Sequence, residues 1–337
     1  MLYVLVNNNY QLRAFIRHFA GREEILEQAT LIAIPHTLSI ENERTKFGRV
    51  LEFKSPLGMS GLPWLLVKYF LSGREATKKL AIDKNDVLIF FTEVEWLNQI
   101  VVKIFKCKGA KTVLLEDGGF GTYIPMGQFN SEPLTLRERC IEASFHLLPA
   151  LRHARLFKFN NILFPRMPDS FIDVIALYRN VPIYRNTDVR RVAQPKKTQC
   201  SVCSGKAIFL NEPLYDYYQN RESYFNGLNK LLAALTFGFD KVHFKFHPRE
   251  STEWRKDISA LITANYPSIE IIESDLSIEE VINTYLPEVL ASYFSAALIG
   301  LEYEGIEPMY LYHLVDDLAN QPAFTSATQI LRSCGYN

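Results

Sequence analysis

Two short motifs lie far apart in this chain, Glu116-Asp117-Gly118 and His247-Pro248. Each follows a short apolar run that reads as a buried strand: Lys111–Leu115 before the first, Val242–Phe246 before the second. A carboxylate at one strand end and an imidazole at another are parts for proton transfer held on a rigid sheet. Asp117 suits a general base, because partial desolvation at a strand end raises a carboxylate pKa. Gly118 and Gly119 behind it allow a ligand to approach the backbone closely. Glu116 either shares the role of Asp117 or points to the structural side of the strand. Pro248 biases His247 away from helix, and the imidazole can then donate a hydrogen bond or a proton to a leaving phosphate. Lys245 and Arg249 flank it with positive charge. Each motif also has a plainer reading, as an acidic helix cap and a loop histidine.

Other strand ends supply further candidates. Ser295 follows Tyr293-Phe294 and precedes a helix-forming run, so its hydroxyl and the local N–H groups suit a phosphate or a simple N-cap. Asn211-Glu212-Pro213 follows the first strand of the second half, and Asn211 could touch a sugar or nucleotide. Glu304, with Glu302 and Glu307, lies beyond the Ser295 helix as a candidate for ribose hydroxyls. In the first half, Asn8 and Asn9 follow strand one, His36 follows strand two, and Thr92, Glu93, Glu95 and Asn98 follow the strand ending at Phe91. Taken singly, each is equally an ordinary loop or cap residue.

The elements that position these residues alternate. Leu2–Val6, Ala29–Pro35, Arg49–Phe53, Asp86–Phe91 and Lys111–Leu115 read as strands, with helices over Gln11–Phe19, Pro63–Leu80 and Val94–Lys106. In the long helix Trp64, Val67 and Leu71 share the apolar face and Lys78 and Lys79 face out, with Gly73 a candidate interruption. Near-continuous apolar strands alternating with helices indicate an α/β fold with parallel sheets covered on both faces. The alternation stops in a polar, basic stretch, read as a linker over 186–204, and restarts with strands at Lys206–Leu210, Lys241–Phe246, Ile269–Ile272 and Val289–Tyr293. Ser277-Ile278-Glu279-Glu280 is a capping box opening a helix. The expected layout is a first domain over 1–185 and a second over 205–320. A C-terminal helix in 321–337 packs back on the first domain in this layout. Two such domains in tandem place a cleft between facing strand ends, the arrangement of twin-Rossmann nucleotide-sugar enzymes.

Composition narrows the classes. The chain has 337 residues, is 48% hydrophobic and carries no net charge, which supports a folded core and gives no case for nucleic acid. No GxGxxG follows the first strand and no Walker loop occurs, so NAD and ATP readings are weak. Five cysteines in a chain read as cytoplasmic are expected as thiols, the Cys200/Cys203 pair included. Met1 leads directly into a strand without a signal-peptide pattern, which gives the cytoplasmic expectation. Charge is uneven: Asp257–Leu331 holds twelve acids and no Lys or Arg, while Ala143–Lys206 holds eleven Lys or Arg and three acids. Arg152, Arg155, Lys158 and Arg166, interleaved with Phe157, Phe159 and Phe164, suit an anionic membrane surface or a diphosphate-bearing lipid, or simply a solvated face.

The ordered set Glu116-Asp117-Gly118, His247-Pro248 and Ser295 resembles the motifs of the bacterial sialyltransferases. The blocks Leu114–Gly118, Phe246–Arg249 and Tyr293–Leu298 are similar to the family 52 lipooligosaccharide and O-antigen group. The family's second Ser or Thr falls on Ala296 here. The resemblance implies a GT-B-like fold and an inverting, metal-independent transfer from CMP-sialic acid (CMP-Neu5Ac), with no cofactor. It makes Asp117 the base, His247 the partner of the leaving phosphate and Ser295 a phosphate contact; by their places near strand ends, Pro248, Lys245, Asn211 and Glu304 are read beside these as CMP and phosphate contacts. Glu116, Gly118, Gly119, Asn8, Asn9 and Glu93 fall to the acceptor or donor sugar. The expected acceptor is a galactose-terminated glycan joined in α2,3 linkage and carried on a polyprenyl diphosphate or lipid A core, at the inner face of the cytoplasmic membrane. The alternatives are transfer of another CMP-activated acidic sugar, a non-catalytic nucleotide- or glycan-binding protein, and a twin-Rossmann epimerase or hydrolase.

Overall fold

A computed structural model describes residues 1–37, 40, 43–54, 62–116, 133–159, 162–178, 186–193, 197–248, 250–273, 276–299 and 303–320. Asp117, Gly118, Gly119 and the helix expected in 321–337 lie outside the described residues. The chain divides into two compact units, Met1–Pro195 and Lys196–Asn337.

The first unit is built on strands β1 (Leu2–Asn8), β2 (Thr30–Thr37), β3 (Arg49–Glu52), β4 (Val87–Phe90) and β5 (Lys111–Leu115). After β5 come a hairpin, β6 (Arg155–Phe159) and β7 (Ile162–Arg166), and two further sheet strands, β8 (Val174–Leu177) and β9 (Asp188–Arg191). The sheet runs β3-β2-β1-β4-β5-β8-β9, and every pairing in it is parallel. Helices α1 (Asn9–His18), α2 (Glu23–Gln28), α3 (Leu62–Lys79), α4 (Trp96–Cys107) and α5 (Leu136–His146) accompany it. Parallel strands need crossovers, and the crossovers cover the sheet faces. That is why Val4, Leu5, Leu31, Ile32, Leu88 and Phe90 are all fully buried. Each such side chain contributes about 1.5–3 kcal/mol when removed from water.

The second unit repeats the plan. Its strands are β10 (Thr198–Gln199), β11 (Cys203–Leu210), β12 (Lys241–Lys245), β13 (Ile269–Ile272), β14 (Pro287–Ser292), β15 (Tyr303–Glu304) and β16 (Glu307–Tyr310). The five-stranded sheet has the order β13-β12-β11-β14-β16, and β10 with β15 forms a separate ribbon. Helices α6 (Arg221–Gly238), α7 (Thr252–Asn265), α8 (Ile278–Tyr285), α9 (Ala296–Ile299) and α10 (Asp316–Ala319) complete it. The expected capping box is formed: Ser277 accepts from the Glu280 N–H and Glu280 caps back.

Three expectations change. The segment read as linker contributes β9, whose four side chains are all exposed. Its backbone pairing with β8 is what makes it a strand, so no apolar alternation marks it. In α3, Gly73 does not interrupt the helix. Its inward face is Tyr69, Gly73, Ala76 and Leu80, while Trp64, Val67 and Leu71 are exposed. The helix has two apolar faces, and packing against α4 selected the one with the small residues. The β6–β7 hairpin lies outside the strand pattern expected from sequence, and it turns Lys158 toward Glu138 of α5, 3.2 Å away with both side chains largely covered. Lys158 therefore does not present its charge outward with Arg152 and Arg155. Among the described residues no helix is long and apolar enough to cross a membrane.

Asp173, just before β8, holds the start of the sheet together. It accepts from Lys106 Nζ at 2.7 and 2.9 Å and from the Thr112 N–H at 2.8 Å. Burial alone pushes its pKa up, but the bonds from Lys106 and Thr112 outweigh this and hold the carboxyl below its ordinary value. A depressed carboxylate contributes stability above its unfolded pKa, about 3.9, and that contribution is lost as pH falls through the folded value. The Asp173→Asn variant is therefore expected to show a lower melting temperature at neutral pH and a shallower decline on acidification, measured by thermal unfolding against pH.

Candidate active site

In each sheet the strand order reverses beside the central strand, between β1 and β4 in the first unit and between β11 and β14 in the second. Ligands of such folds bind outside the carboxyl ends of the strands at that switch point.

In the first unit this edge is tied down by amides. Asn7 and Asn98 exchange side-chain hydrogen bonds at 3.1 and 2.8 Å, and Asn98 Nδ2 also donates to Thr92 O at 2.9 Å. Asn7 Nδ2 reaches Ile34 O at 3.2 Å, so the ends of β1, β2 and β4 share one buried network. Asn8 caps α1 by accepting from the Gln11 N–H at 2.9 Å, and Asn9 is the first residue of that helix. Glu95 caps α4, accepting from the N–H groups of Leu97 and Asn98. The glutamates expected at the ligand are engaged inside the fold. Glu93 is 1% exposed and accepts from the Met167 N–H at 2.6 Å. Glu116 is likewise 1% exposed and accepts from the Tyr178 N–H at 2.8 Å, while its own N–H donates to Ala176 O. Glu116 thus fixes β5 to β8 at the residue from which the chain leaves for Asp117.

The second unit gathers more of the expected residues. Asn211, at the end of β11, donates its N–H to Lys245 O at 2.9 Å, which joins it to the strand leading into His247. Its side-chain amide donates to Glu250 Oε2 at 2.9 Å and stands 3.4 Å from the Tyr224 hydroxyl. Glu250 is nearly buried. Burial pushes its carboxyl pKa up, and hydrogen bonds from the Asn211 side chain and the His247 backbone partly offset this. The Glu250 N–H also donates to His247 O at 3.0 Å, so His247 is clasped by the backbone and carboxylate of one residue. Arg255 adds a bond to His247 O at 3.4 Å and lies over the Phe246 ring. The imidazole remains partly exposed, Pro248 is exposed and Lys245 is buried.

Glu212 performs the matching task beside β14. Its carboxylate accepts from the Phe294 N–H at 2.9 Å and lies 3.2 Å from the Ser292 hydroxyl, whose single proton is shared with Leu210 O at 2.8 Å. This fixes the loop carrying Ser295, whose hydroxyl accepts from the Ala297 N–H at 3.3 Å as the cap of a one-turn helix. Tyr293 is completely buried beside Tyr218 and Tyr224, and burial raises its pKa well above the ordinary value. Glu304 is not part of this group: it is exposed in the β10–β15 ribbon, where its carboxylate accepts from Gln199 Nε2. Glu250 is the residue that sequence reading missed. Its only signal is an acid three positions after a strand-end histidine, and its partner Asn211 is 39 residues away.

The arrangement offers an imidazole at a fixed strand end, a buried lysine two residues before it and, two strands across the same sheet, a serine on a braced loop. These are parts for holding and protonating a phosphate. Solved structures with the same fold include a UDP-GlcNAc 2-epimerase from Methanocaldococcus jannaschii, at TM-score 0.52 and 11% identity, with 100% of this chain and 99% of that chain covered. A Listeria monocytogenes protein described as a UDP-N-acetylglucosamine 2-epimerase matches at TM-score 0.50 and 8% identity, covering 100% and 92%. The GT-B domain of a sialyltransferase from Photobacterium damselae matches at TM-score 0.49 and 11% identity, covering 99% and 97%. No curated protein sequence matches. The fold is GT-B, two Rossmann-like units each with a parallel sheet. The chain belongs to the alpha-2,8-polysialyltransferase family, whose model matches residues 7–303, and is thereby a sialyltransferase, a glycosyltransferase by reaction.

The raised pKa of Glu250 has a consequence for stability. Between the unfolded carboxyl pKa and the higher folded one, the folded state binds more protons, so stability falls as pH rises through that window. The Glu250→Gln variant is expected to lose that fall and match or exceed the parent's melting temperature at neutral pH. Glu250→Ala removes the acceptor of Asn211 and of the His247 backbone and is expected to cost about 1–3 kcal/mol. Thermal unfolding across pH 4 to 8 (a window of about four units around the carboxyl range) distinguishes the two.

Proposed function

We propose that this protein transfers sialic acid from CMP-sialic acid to a glycan acceptor by a single inverting displacement. The observation that carries the reading is the family match across 7–303, together with His247 clasped just beyond the end of β12, the strand beside the central β11. In this reading Asp117 takes the proton of the acceptor hydroxyl as its oxygen bonds to the anomeric carbon. The bond from that carbon to the CMP phosphate breaks, and its electron pair leaves on the phosphate. His247 donates a hydrogen bond or proton there, and Lys245 and Ser295 assist with charge and a hydroxyl. Asn211 and Glu250 hold His247 in place, Pro248 keeps its backbone extended, and catalysis rests on positioning and hydrogen bonding. The proposed chemistry uses no metal or cofactor.

The family's description favours an acceptor that ends in sialic acid and a new α2,8 linkage, with repeated transfer. The second reading, α2,3 transfer to a galactose-terminated lipid-linked glycan, rests on the motif blocks around Asp117, His247 and Ser295. Transfer of another CMP-activated acidic sugar is a variant of either.

Purified protein is incubated with CMP-Neu5Ac and two acceptors, an α2,8-linked disialyl glycan and a Galβ1-3GalNAc glycan, with and without EDTA. Acceptor-dependent release of CMP, unchanged by EDTA, is expected on the disialyl acceptor, with products longer by several residues in mass spectra. Elongation of the galactoside alone selects the second reading. Asp117→Ala and His247→Ala are each expected to lower kcat by about 10²–10⁴-fold at unchanged melting temperature. Wild-type turnover in either variant removes that residue from the mechanism.

A further inference from the structure

Helix α3 carries two apolar faces, and the fold of its unit covers one. On the covered side Gly73 lets α3 approach α4 closely: a Cβ at that position would stand 3.2 Å from Ile100 Cγ2. On the other side Trp64, Val67, Phe70 and Leu71 are 67%, 47%, 51% and 55% exposed. At about 100° per residue these four occupy roughly a third of the helix circumference. Arg74 and Lys78 continue the same stripe toward the C-terminus and are exposed. The helix as a whole carries four cations against one acid. Beside the stripe lies a groove of about 480 Å³ between α3, α4 and residues 148–150, walled by Phe70, Ile100, Ile104 and Leu148, with Arg74 and Lys78 completing the wall. Leu147, next to that wall in sequence, is 75% exposed.

Isolated exposed apolar residues need no explanation, but a contiguous stripe beside an apolar groove does. The cations on the same face identify the occupant. A second copy pairing through this stripe would bring like charges together. An anionic lipid surface satisfies both halves: acyl chains for the aromatic and branched side chains, headgroups for Arg74 and Lys78. We propose that the outer face of α3 docks this protein on an anionic bilayer surface, with the groove admitting an acyl chain of one bound lipid. This docking element is distinct from the basic surface expected from sequence around Arg152, Arg155 and Lys158. The proposal is independent of the sialyl-transfer reading, because docking is measured without donor or acceptor.

The test is sedimentation of the full chain with phosphatidylcholine vesicles, with and without phosphatidylglycerol. Binding is expected on the anionic vesicles and is expected to weaken as salt rises. Trp64→Glu combined with Phe70→Glu is expected to reduce partitioning at least about tenfold, and Arg74→Glu combined with Lys78→Glu to reduce it on anionic vesicles. All four positions are exposed, so unchanged melting temperatures are expected. Brominated acyl chains are expected to quench tryptophan fluorescence in the parent, and much of that quenching should vanish in Trp64→Phe while binding persists. Equal partitioning of the parent onto both vesicle types, or parent-like binding by the Trp64→Glu, Phe70→Glu variant, overturns the proposal. So does a dimer in solution that this same variant splits, which would make a second copy the occupant.

Discussion

Carboxylates at the carboxyl edges of the two sheets, three of them buried and Glu212 half-buried, are the constraint on which the sites depend. Glu93 and Glu116 in the first unit, and Glu212 and Glu250 in the second, each accept hydrogen bonds from backbone or amide N–H groups of a neighbouring loop. A loop leaving a parallel sheet carries unpaired N–H groups, and burying them without partners costs more than the bond itself is worth. A carboxylate accepts several such bonds and makes each stronger through its charge. The cost is burial of the carboxylate itself, visible in the raised pKa of Glu250. In the second unit the result is a braced edge that carries His247 and Ser295.

This bracing by carboxylates explains a division of labour that residue type alone conceals. Glu116 and Asp117 are adjacent acids, and either could serve a ligand by chemistry. The structure engages Glu116 with the Tyr178 N–H, which leaves its neighbour as the acid proposed for proton transfer. Glu93 and Glu212 are likewise held by backbone amides across the fold. Glu304 sits in the small ribbon with Gln199. Acids suited by type to bind sugar hydroxyls accept hydrogen bonds from the protein's own N–H groups here.

The helices show the same limit from another side. In α3, the residues at 64, 67 and 71 and those at 69, 73, 76 and 80 both satisfy a helical apolar period. The pattern says that the segment is a helix and leaves open which stripe faces the sheet. The decision came from closeness: Gly73 and Ala76 let α3 approach Ile100 of α4, and a face led by Trp64 and Phe70 is too bulky for that contact. In β9 the reverse holds. Its side chains are all exposed, so it has no period to detect, and it exists because β8 offers an unpaired edge.

By itself the sequence determined the elements whose physics is local. Apolar runs gave the central strands of both sheets, Ser277 and Glu280 gave a helix start, and the alternation of strand and helix gave parallel sheets. It also set the three motifs at strand ends, because a strand end is marked by the residues that follow it. Tertiary structure decided everything that depends on a partner distant in the chain. Asn211 meets Glu250, Glu116 meets Tyr178, and Lys158 meets Glu138 only because strand order brings their loops together. A side chain's type fixes which bonds it can form, and the fold decides whether a ligand or the protein's own backbone receives them.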